Sequence, residues 1–474
     1  MQLITIISTP TPALRFVDST QHLLEERPLL TADDDQLAAL TLAYRAPQPN
    51  LAAISRQLFE WLDSTTHPLS LFLQAETATP WAIDFDLHND ALRRVPWELL
   101  ALQRALPFTP IRRVRAGQQP YTRANRPLRV LFMACSPRNV KPELDFEAEE
   151  ANILKAVKQI SQRADIDLVV VEDGSLNGLA DEVTAHDPGY FDVVHISGHA
   201  DVIAGIPRFV MEDELGQRRD TTATELADAF NGRLPRLIFF SGCKTAQAPD
   251  SGALPSLCES LIQAGATAVL GWAEPVFDTH ATLMAGELYA QLAVGTRLDE
   301  AVAHARRELI DRQDRHAWHL LRLYADATPL TELVTPPKTR GRERLRQREA
   351  ASAFLDERER LADQPGANEA NLARLKVCAR EDFVGRRREI QRGLRTLRAR
   401  EDEPDYAEGV LIHGMGGLGK SSLAARLCER MPGHQRLVWF GALTEDNLPS
   451  LLSKLAALIT NPDTYKQWVS SDLP

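Results

Sequence analysis

The sequence predicts an α/β protein built on a mostly parallel sheet covered by helices on both faces, and two observations carry that prediction. From Leu128 onward the apolar runs LRVLFMA, IDLVVVE, FDVVHIS, RLIFFSG and ATAVLGW alternate with helical stretches such as ELDFEAEEANILKAVKQI and ALPSLCESLIQAG. The runs are apolar almost throughout instead of alternating with polar residues, as strands buried on both faces must be. In such a sheet, chemistry gathers where strands end at their carboxyl edge.

The remaining elements follow in chain order. Residues 1–125 mix strand-like runs (Leu3 to Ser8, Leu69 to Gln74, Ala82 to Leu87) with a helical segment around Asn50 to Asp63, and are expected to form a small α/β region. Residues 126–334 hold the parallel-sheet pattern. Residues 335–380 shift to a charged composition, TPPKTRGRERLRQREAASAFLDERERLADQ, read as a solvated, partly helical linker. A further unit spans residues 381–474. At 474 residues the chain exceeds one ordinary domain, in keeping with this division. No run is long enough to cross a membrane, and the opening MQLITIISTPTPALRF lacks a basic leader and a cleavage site, so a cytoplasmic, membrane-free protein is expected. A net charge of −11 disfavours nucleic acid as the main partner. The five cysteines are scattered, odd in number and never spaced C-x-x-C, which argues against a disulfide framework or a zinc site.

Two of the strand runs end in chemistry. His199 is expected in a turn just beyond FDVVHIS, within Ser197-Gly198-His199-Ala200, and Cys243 just beyond RLIFFS, within Ser241-Gly242-Cys243-Lys244. A cysteine nucleophile needs an accessible thiolate, a histidine to handle protons and amides aimed at the developing oxyanion. On this reading Cys243 attacks a carbonyl, His199 protonates the leaving amine, and the N–H groups of Gly198 and Cys243 are the oxyanion donors. By spacing alone the structural alternative is favoured, because buried free cysteines are common and inert. His195 reads as a packed strand residue, Cys258 as core, and Asp278 as an N-cap for the helical run THATLMAGELYAQL.

The segments HISGHA and FFSGCKTA resemble the histidine and cysteine boxes of the CHAT family, relatives of caspases, separase and gingipains. The likeness extends over residues 80–326. Val95-Pro96-Trp97-Glu98-Leu99-Leu100 resembles a PWELL box and Ile111-Arg112-Arg113-Val114-Arg115 the segment after it. GATAVLGW, Asp278 and Ala281, GELYAQLAVG, AVAHARREL and WHLLRLYAD then follow in the family's order. The resemblance implies a caspase-like three-layer sandwich and endopeptidase chemistry on a protein substrate, with no cofactor at that site. Relatives that cut after Arg or Lys carry an acidic residue two positions before the cysteine; here that position is Ser241, and Asp201, Asp220 and Glu274 are candidate pocket liners. Ala200 stands where many relatives have glycine.

The last unit contains EGVLIHGMGGLGKSSLAARL, an expected strand, loop and helix around Gly414-Met415-Gly416-Gly417-Leu418-Gly419-Lys420-Ser421-Ser422. This satisfies G-x-x-x-x-G-K-[ST]: amides wrap phosphates, Lys420 reaches them, and Ser421 holds Mg²⁺, so ATP or ADP is the expected ligand. With Phe383-Val384-Gly385-Arg386 upstream, the loop resembles STAND-type NTPases of the NB-ARC kind, which implies a nucleotide switch that assembles into an oligomer when its domain is complete. Residues 421–474 contain a second strand, RLVWFGA, and a helix, NLPSLLSKLAAL, but no acidic strand to hold Mg²⁺-bound water, so the hydrolytic half is expected to be missing. The combined expectation is a cysteine endopeptidase under nucleotide control, in defence or cell-death signalling. The alternative is a nucleotide-dependent scaffold with an inactive peptidase-like domain.

Overall fold

A computed structural model of the chain describes residues 2–8, 13–18, 20, 22–63, 67, 69–70, 81–86, 90–103, 108–115, 117, 122–137, 140, 166–171, 174–213, 216–243, 257–273, 276, 278–311, 317–336, 377, 383, 385–398, 402, 406–407 and 409–430. The chain divides into two compact units, Met1–Gly341 and Arg342–Pro474.

The strands described in the first unit are β1 (Gln2–Ser8), β2 (Ala13–Asp18), β3 (Leu23–Pro28), β4 (Trp81–Asp86), β5 (Phe108–Arg115), β6 (Leu128–Ala134), β7 (Ile166–Val171), β8 (Val193–Ile203), β9 (Ile206–Glu212), β10 (Arg218–Thr221), β11 (Leu237–Cys243), β12 (Ala268–Trp272) and β13 (Leu321–Asp326). All join one sheet, ordered β10-β9-β8-β11-β12-β13-β5-β4-β1-β2-β3, with β6 against β8 and β7 outside β6. Its centre is parallel: β7, β6, β8, β11 and β12 run one way, and β5, β4 and β1 run parallel to β13. The antiparallel β12–β13 pair joins these two blocks, so the N-terminal strands extend the main sheet instead of forming a sheet of their own.

The helices described in this unit are α1 (Thr31–Tyr44), α2 (Leu51–Asp63), α3 (Asp90–Arg94), α4 (Leu176–Thr184), α5 (Ala223–Ala229), α6 (Leu257–Gln263), α7 (Asp278–Ala293) and α8 (Leu298–Asp311), with a 3-10 turn over Trp97–Gln103. Strand alternation sends Val193, Leu237, Phe239 and Leu270 to one face, where they pack with Leu40, Leu58, Met284, Leu288 and Val302 from α1, α2, α7 and α8. Val194, Ile196, Ile238, Phe240 and Val269 face the other way, against Leu179, Leu226 and Leu261 from α4, α5 and α6. The result is the three-layer α/β arrangement that the apolar runs predict. Thr222 and Glu225 form a capping box at the start of α5. Among the described residues no helix is long and apolar enough to cross a membrane.

Several expectations change. FDVVHIS is not a strand ending in a turn: β8 continues through His199 to Ile203, because β9 folds back to supply it with a new partner. Cys243 likewise closes β11 instead of lying beyond it. Leu69 and Ser70 are helical, and the rest of that expected strand, the helix expected around residues 143–160 and most of the linker lie outside the described residues.

In the second unit α9 (Arg387–Arg398) packs on α10 (Lys420–Arg430) through Ile390, Leu394, Leu423 and Leu427. A side chain at Gly393 would meet Leu427 Cδ2 at 2.8 Å, which is why glycine sits at this crossing. The strand expected at Val410 to His413 is not formed. No ladder partner stands beside it among the described residues, and Leu411 is 86% exposed. RLVWFGA and NLPSLLSKLAAL fall outside the described residues.

Candidate active site and nucleotide loop

The parallel pairing of β8 with β11 runs in step from Val193 opposite Leu237 to Ser197 opposite Ser241, Gly198 opposite Gly242 and His199 opposite Cys243. Neighbouring strands lie about 4.8 Å apart, so the register alone brings the two candidate residues side by side, Cys243 as the last residue of β11 and His199 within β8. His199 shares a face of β8 with His195, the face that α7 and α8 cover lower down. His199 is half-buried, and on its other edge it stands opposite Val210 of β9 and, through that strand, Asp220 of β10.

Gly198 is required by packing. A Cβ there would lie 2.8 Å from Phe209 Cζ and 3.2 Å from Cys135 Cβ, so the β9 ring presses directly on the backbone beside His199. The backbone N–H groups of Gly198 and Cys243, expected as oxyanion donors, belong to the β8–β11 ladder. Leu237 donates its N–H to the Asp192 carbonyl at 3.1 Å, which sets the phase of the β8–β11 ladder. Carried forward, that phase directs the Gly198 amide at the Ser241 carbonyl and the Cys243 amide at the Gly198 carbonyl.

His195, two rungs below His199 on the same face, is fully buried. It stacks on Phe239 with ring centroids 4.5 Å apart and bonds Tyr289 Oη through Nδ1 at 2.8 Å. Burial pushes its imidazole down to about 3, so it stays neutral. Cys258 is buried in α6 and its thiol is pushed up by burial, which suits a core cysteine.

Of the candidate pocket liners, Asp201 and Asp220 converge on one partner, Arg218, which donates to Asp201 Oδ2 at 2.7 Å and to Asp220 Oδ1 at 2.8 Å. Glu274 lies outside the described residues, and Asp278 opens α7.

Sequence reasoning missed what joins the other quoted segments. Glu98, from the VPWELL stretch, is held by Arg112 of the IRRVR stretch through two bonds, one of them Nη2 to Oε2 at 3.0 Å. Burial alone would raise the Glu98 carboxyl, but Arg112, with Arg322 and Arg306, more than offsets it and holds the group below the ordinary range. Those two arginines come from the WHLLRLYAD and AVAHARREL segments. Arg306 donates to the Trp318 and Leu321 carbonyls. Trp97 stacks on Phe85 at 4.4 Å. Four of the family-like segments therefore converge on a buried support and not on His199 and Cys243.

In the second unit Gly414, Gly417 and Gly419 have φ values of 148°, 81° and 76°. The left-handed turns at Gly417 and Gly419 leave open space where a side chain would stand, as does Gly416. α10 begins at Lys420, whose Nζ donates to the Gly414 and Met415 carbonyls at 3.0 and 2.7 Å. Arg386 braces the loop by donating to the Leu418 carbonyl at 2.9 Å. Met415 and Leu418 are exposed.

A family model described as "CHAT domain" matches residues 52–332, more than half of the chain. No curated protein matches the chain. Among solved structures, the separase of the Saccharomyces cerevisiae separase–securin complex at 3.0 Å resolution is similar, with 11% identity and a TM-score of 0.39 over 69% of this chain and 30% of that one. The same complex at 2.6 Å resolution gives 14% identity and a TM-score of 0.31 over 64% and 21%. This chain thus spans less than a third of either separase chain.

Proposed function

The chain belongs to the CHAT domain family of caspase-like peptidases, and on that footing we propose that it is a cysteine endopeptidase acting on protein substrates through Cys243 and His199. The register that sets Cys243 opposite His199 supports the assignment. The Cys243 thiolate attacks the scissile carbonyl, and His199 passes its proton to the departing amine. Water then attacks the acyl-enzyme, giving its proton to His199 and releasing the acid with the thiolate restored. A reducing, cytoplasmic setting would keep the thiol free.

The test is labelling with a set of thiol-reactive acyl-peptide probes in wild type, Cys243→Ala and His199→Ala. Labelling at Cys243 that falls about a hundredfold without His199 supports the reading, in line with the rate contribution of a positioned general acid–base. Labelling spread evenly over the cysteines, or indifferent to His199, replaces it with a scaffold role.

The loop Gly414 to Ser422 supports a separate assignment, ATP or ADP with Mg²⁺. The helix start at Lys420, the open space at Gly416, Gly417 and Gly419, and a lysine already curled over the loop fit a polyphosphate. The nucleotide would supply phosphate charge for Lys420 to meet and a Mg²⁺ for Ser421 to hold. By analogy of architecture, nucleotide binding is the switch that controls the peptidase, in defence or cell-death signalling, with oligomer formation its means. Cleavage that is unchanged by added ATP or ADP, and unchanged in Lys420→Ala, removes the switch and leaves the peptidase.

A further inference from the structure

His199 has a different neighbour on each edge of its strand. Cys243 of β11 stands opposite it on one side, and on the other the rung continues through Val210 of β9 to Asp220 of β10. Directly opposed residues of an antiparallel pair share a face, and along a strand every second residue does. One face of β8, β9 and β10 therefore carries His199, Asp201, Val210, Arg218 and Asp220 together.

Arg218 ties that face together. It donates to Asp220 Oδ1 on its own strand at 2.8 Å and to Asp201 Oδ2, two strands away, at 2.7 Å. Val210, on the strand between, is fully buried, so the bridge spans the ground beside His199 on the edge turned away from Cys243. Two carboxylates share one guanidinium there. Arg208 and Glu212, which the register places on the same face, offset each other in sign, so carboxylates outnumber guanidiniums among the described residues of this face. The side chain of Asp201 is 50% exposed, against 31% for Asp220 and 30% for Arg218. Asp201 is the group that an arriving chain meets first.

The peptidase reading fixes which half of a substrate comes here. Cys243 takes the carbonyl and His199 the amine, so the direction from Cys243 to His199 is the direction from the acyl side to the amine side of the bond to be cut. Continued the same way, the departing chain passes over β9 and β10. We propose that Asp201, backed by Arg218 and Asp220, reads the amine side of the cleavage site and selects a lysine or arginine within its first two residues. The proposal rests on the peptidase reading above and deepens it by naming a feature of the substrate. Asp201 lies two residues beyond His199, about 6.6 Å of strand, which a long basic side chain on the first or second amine-side residue can span. When that cation arrives, Arg218 releases Asp201 and keeps Asp220.

The experiment uses the full chain and an internally quenched peptide built on the sequence that the probe set prefers. Lysine, norleucine or glutamate is placed in turn at each of the two residues before and the two residues after the cut. Lysine at an amine-side position is expected to raise kcat/KM about fivefold over norleucine, with glutamate lowering it, as suits a partly exposed ion pair. Asp201→Asn should bring the lysine-to-norleucine ratio to about one, and Asp201→Lys should turn the preference to glutamate. Each ratio is taken within one variant, so a general change in activity does not enter it. Arg218→Gln tests the same contact from the other side: with the competing guanidinium gone, the lysine preference should grow about threefold further. A lysine preference confined to the acyl side, an amine-side ratio unchanged in Asp201→Asn, or no growth in Arg218→Gln overturns the proposal. No cleavage of any peptide, together with Cys243 alkylation by iodoacetamide that is indifferent to His199, brings down the peptidase reading itself and this proposal with it.

Discussion

Glu98 and Arg112 form an ion pair in which neither side chain reaches solvent, one carried by the 3-10 turn before β5 and the other by β5 itself. Arg112 also donates to the Val95 carbonyl at 3.0 Å, and its guanidinium lies 5.7 Å from the Tyr324 ring. Removing one partner strands a charge in the interior. Arg112→Met is therefore expected to cost about 3–5 kcal/mol, read from the denaturant midpoint, and Glu98→Leu in the same chain to return much of it. Glu98 also predicts acid sensitivity. Its carboxyl is held below the ordinary value of 4.5, so its contribution is present above that pH and is lost as pH falls through the lower folded value.

His195 predicts a second pH dependence, over a different window. Its folded value is depressed from 6.5 to about 3, so below pH 6.5 the unfolded chain takes up a proton that the folded chain refuses. Stability should fall by roughly 1.4 kcal/mol per pH unit from 6.5 down toward 3. Urea unfolding at pH 7 and pH 5 checks this: wild type should lose about 2 kcal/mol more than His195→Gln over that interval. Equal losses would show that His195 is not held neutral.

Gly198→Ala should be costly although alanine is the smallest change available. The new methyl falls within 2.8 Å of the Phe209 ring, which is itself fully buried between β9 and α5. A destabilisation of about 1–3 kcal/mol is expected, with slower labelling at Cys243 because the strain sits one residue from His199. Phe209→Leu combined with Gly198→Ala should recover part of both losses; no recovery would place the strain elsewhere.

The proposed nucleotide site predicts distinguishable contributions from Arg386 and Lys420. On that proposal Lys420→Ala removes the charge that would meet phosphate and should weaken ADP binding by at least about tenfold in a calorimetric titration. Arg386→Ala removes only the brace on the Leu418 carbonyl and should weaken it by about threefold to tenfold. Equal and negligible effects would mean that the loop binds no nucleotide.

The central strands are legible in the sequence because strands buried on both faces must be apolar throughout, and LRVLFMA, RLIFFSG and ATAVLGW are. The hairpin beyond His199 carries a signal that apolar runs do not show. Ile203-Ala204-Gly205-Ile206 places one glycine, free to take positive φ, after a small alanine and between β-branched neighbours, and in that light Asp201 to Phe209 reads as two strands. Ordinary strand reasoning ends β8 at Ser197 because Gly198 resembles a terminator. The structure shows instead a glycine demanded by the Phe209 ring. The Glu98–Arg112 pair is not legible at all, since nothing local joins a 3-10 turn to the following strand.

The continuity of the sheet bears on how this protein should be divided for study. The family match begins at residue 52, which suggests a natural place to cut. Cutting there removes β1, β2, β3 and α1, and with them the parallel partner of β4 along Gln2 to Ile7. The N–H and carbonyl groups of Trp81 to Asp86 would then face water as a bare edge, beside a core deprived of Ile6, Leu14 and Phe16. Such an edge invites a second molecule to pair with it. A shortened chain that precipitates would thus be reporting a severed sheet and not an unstable peptidase.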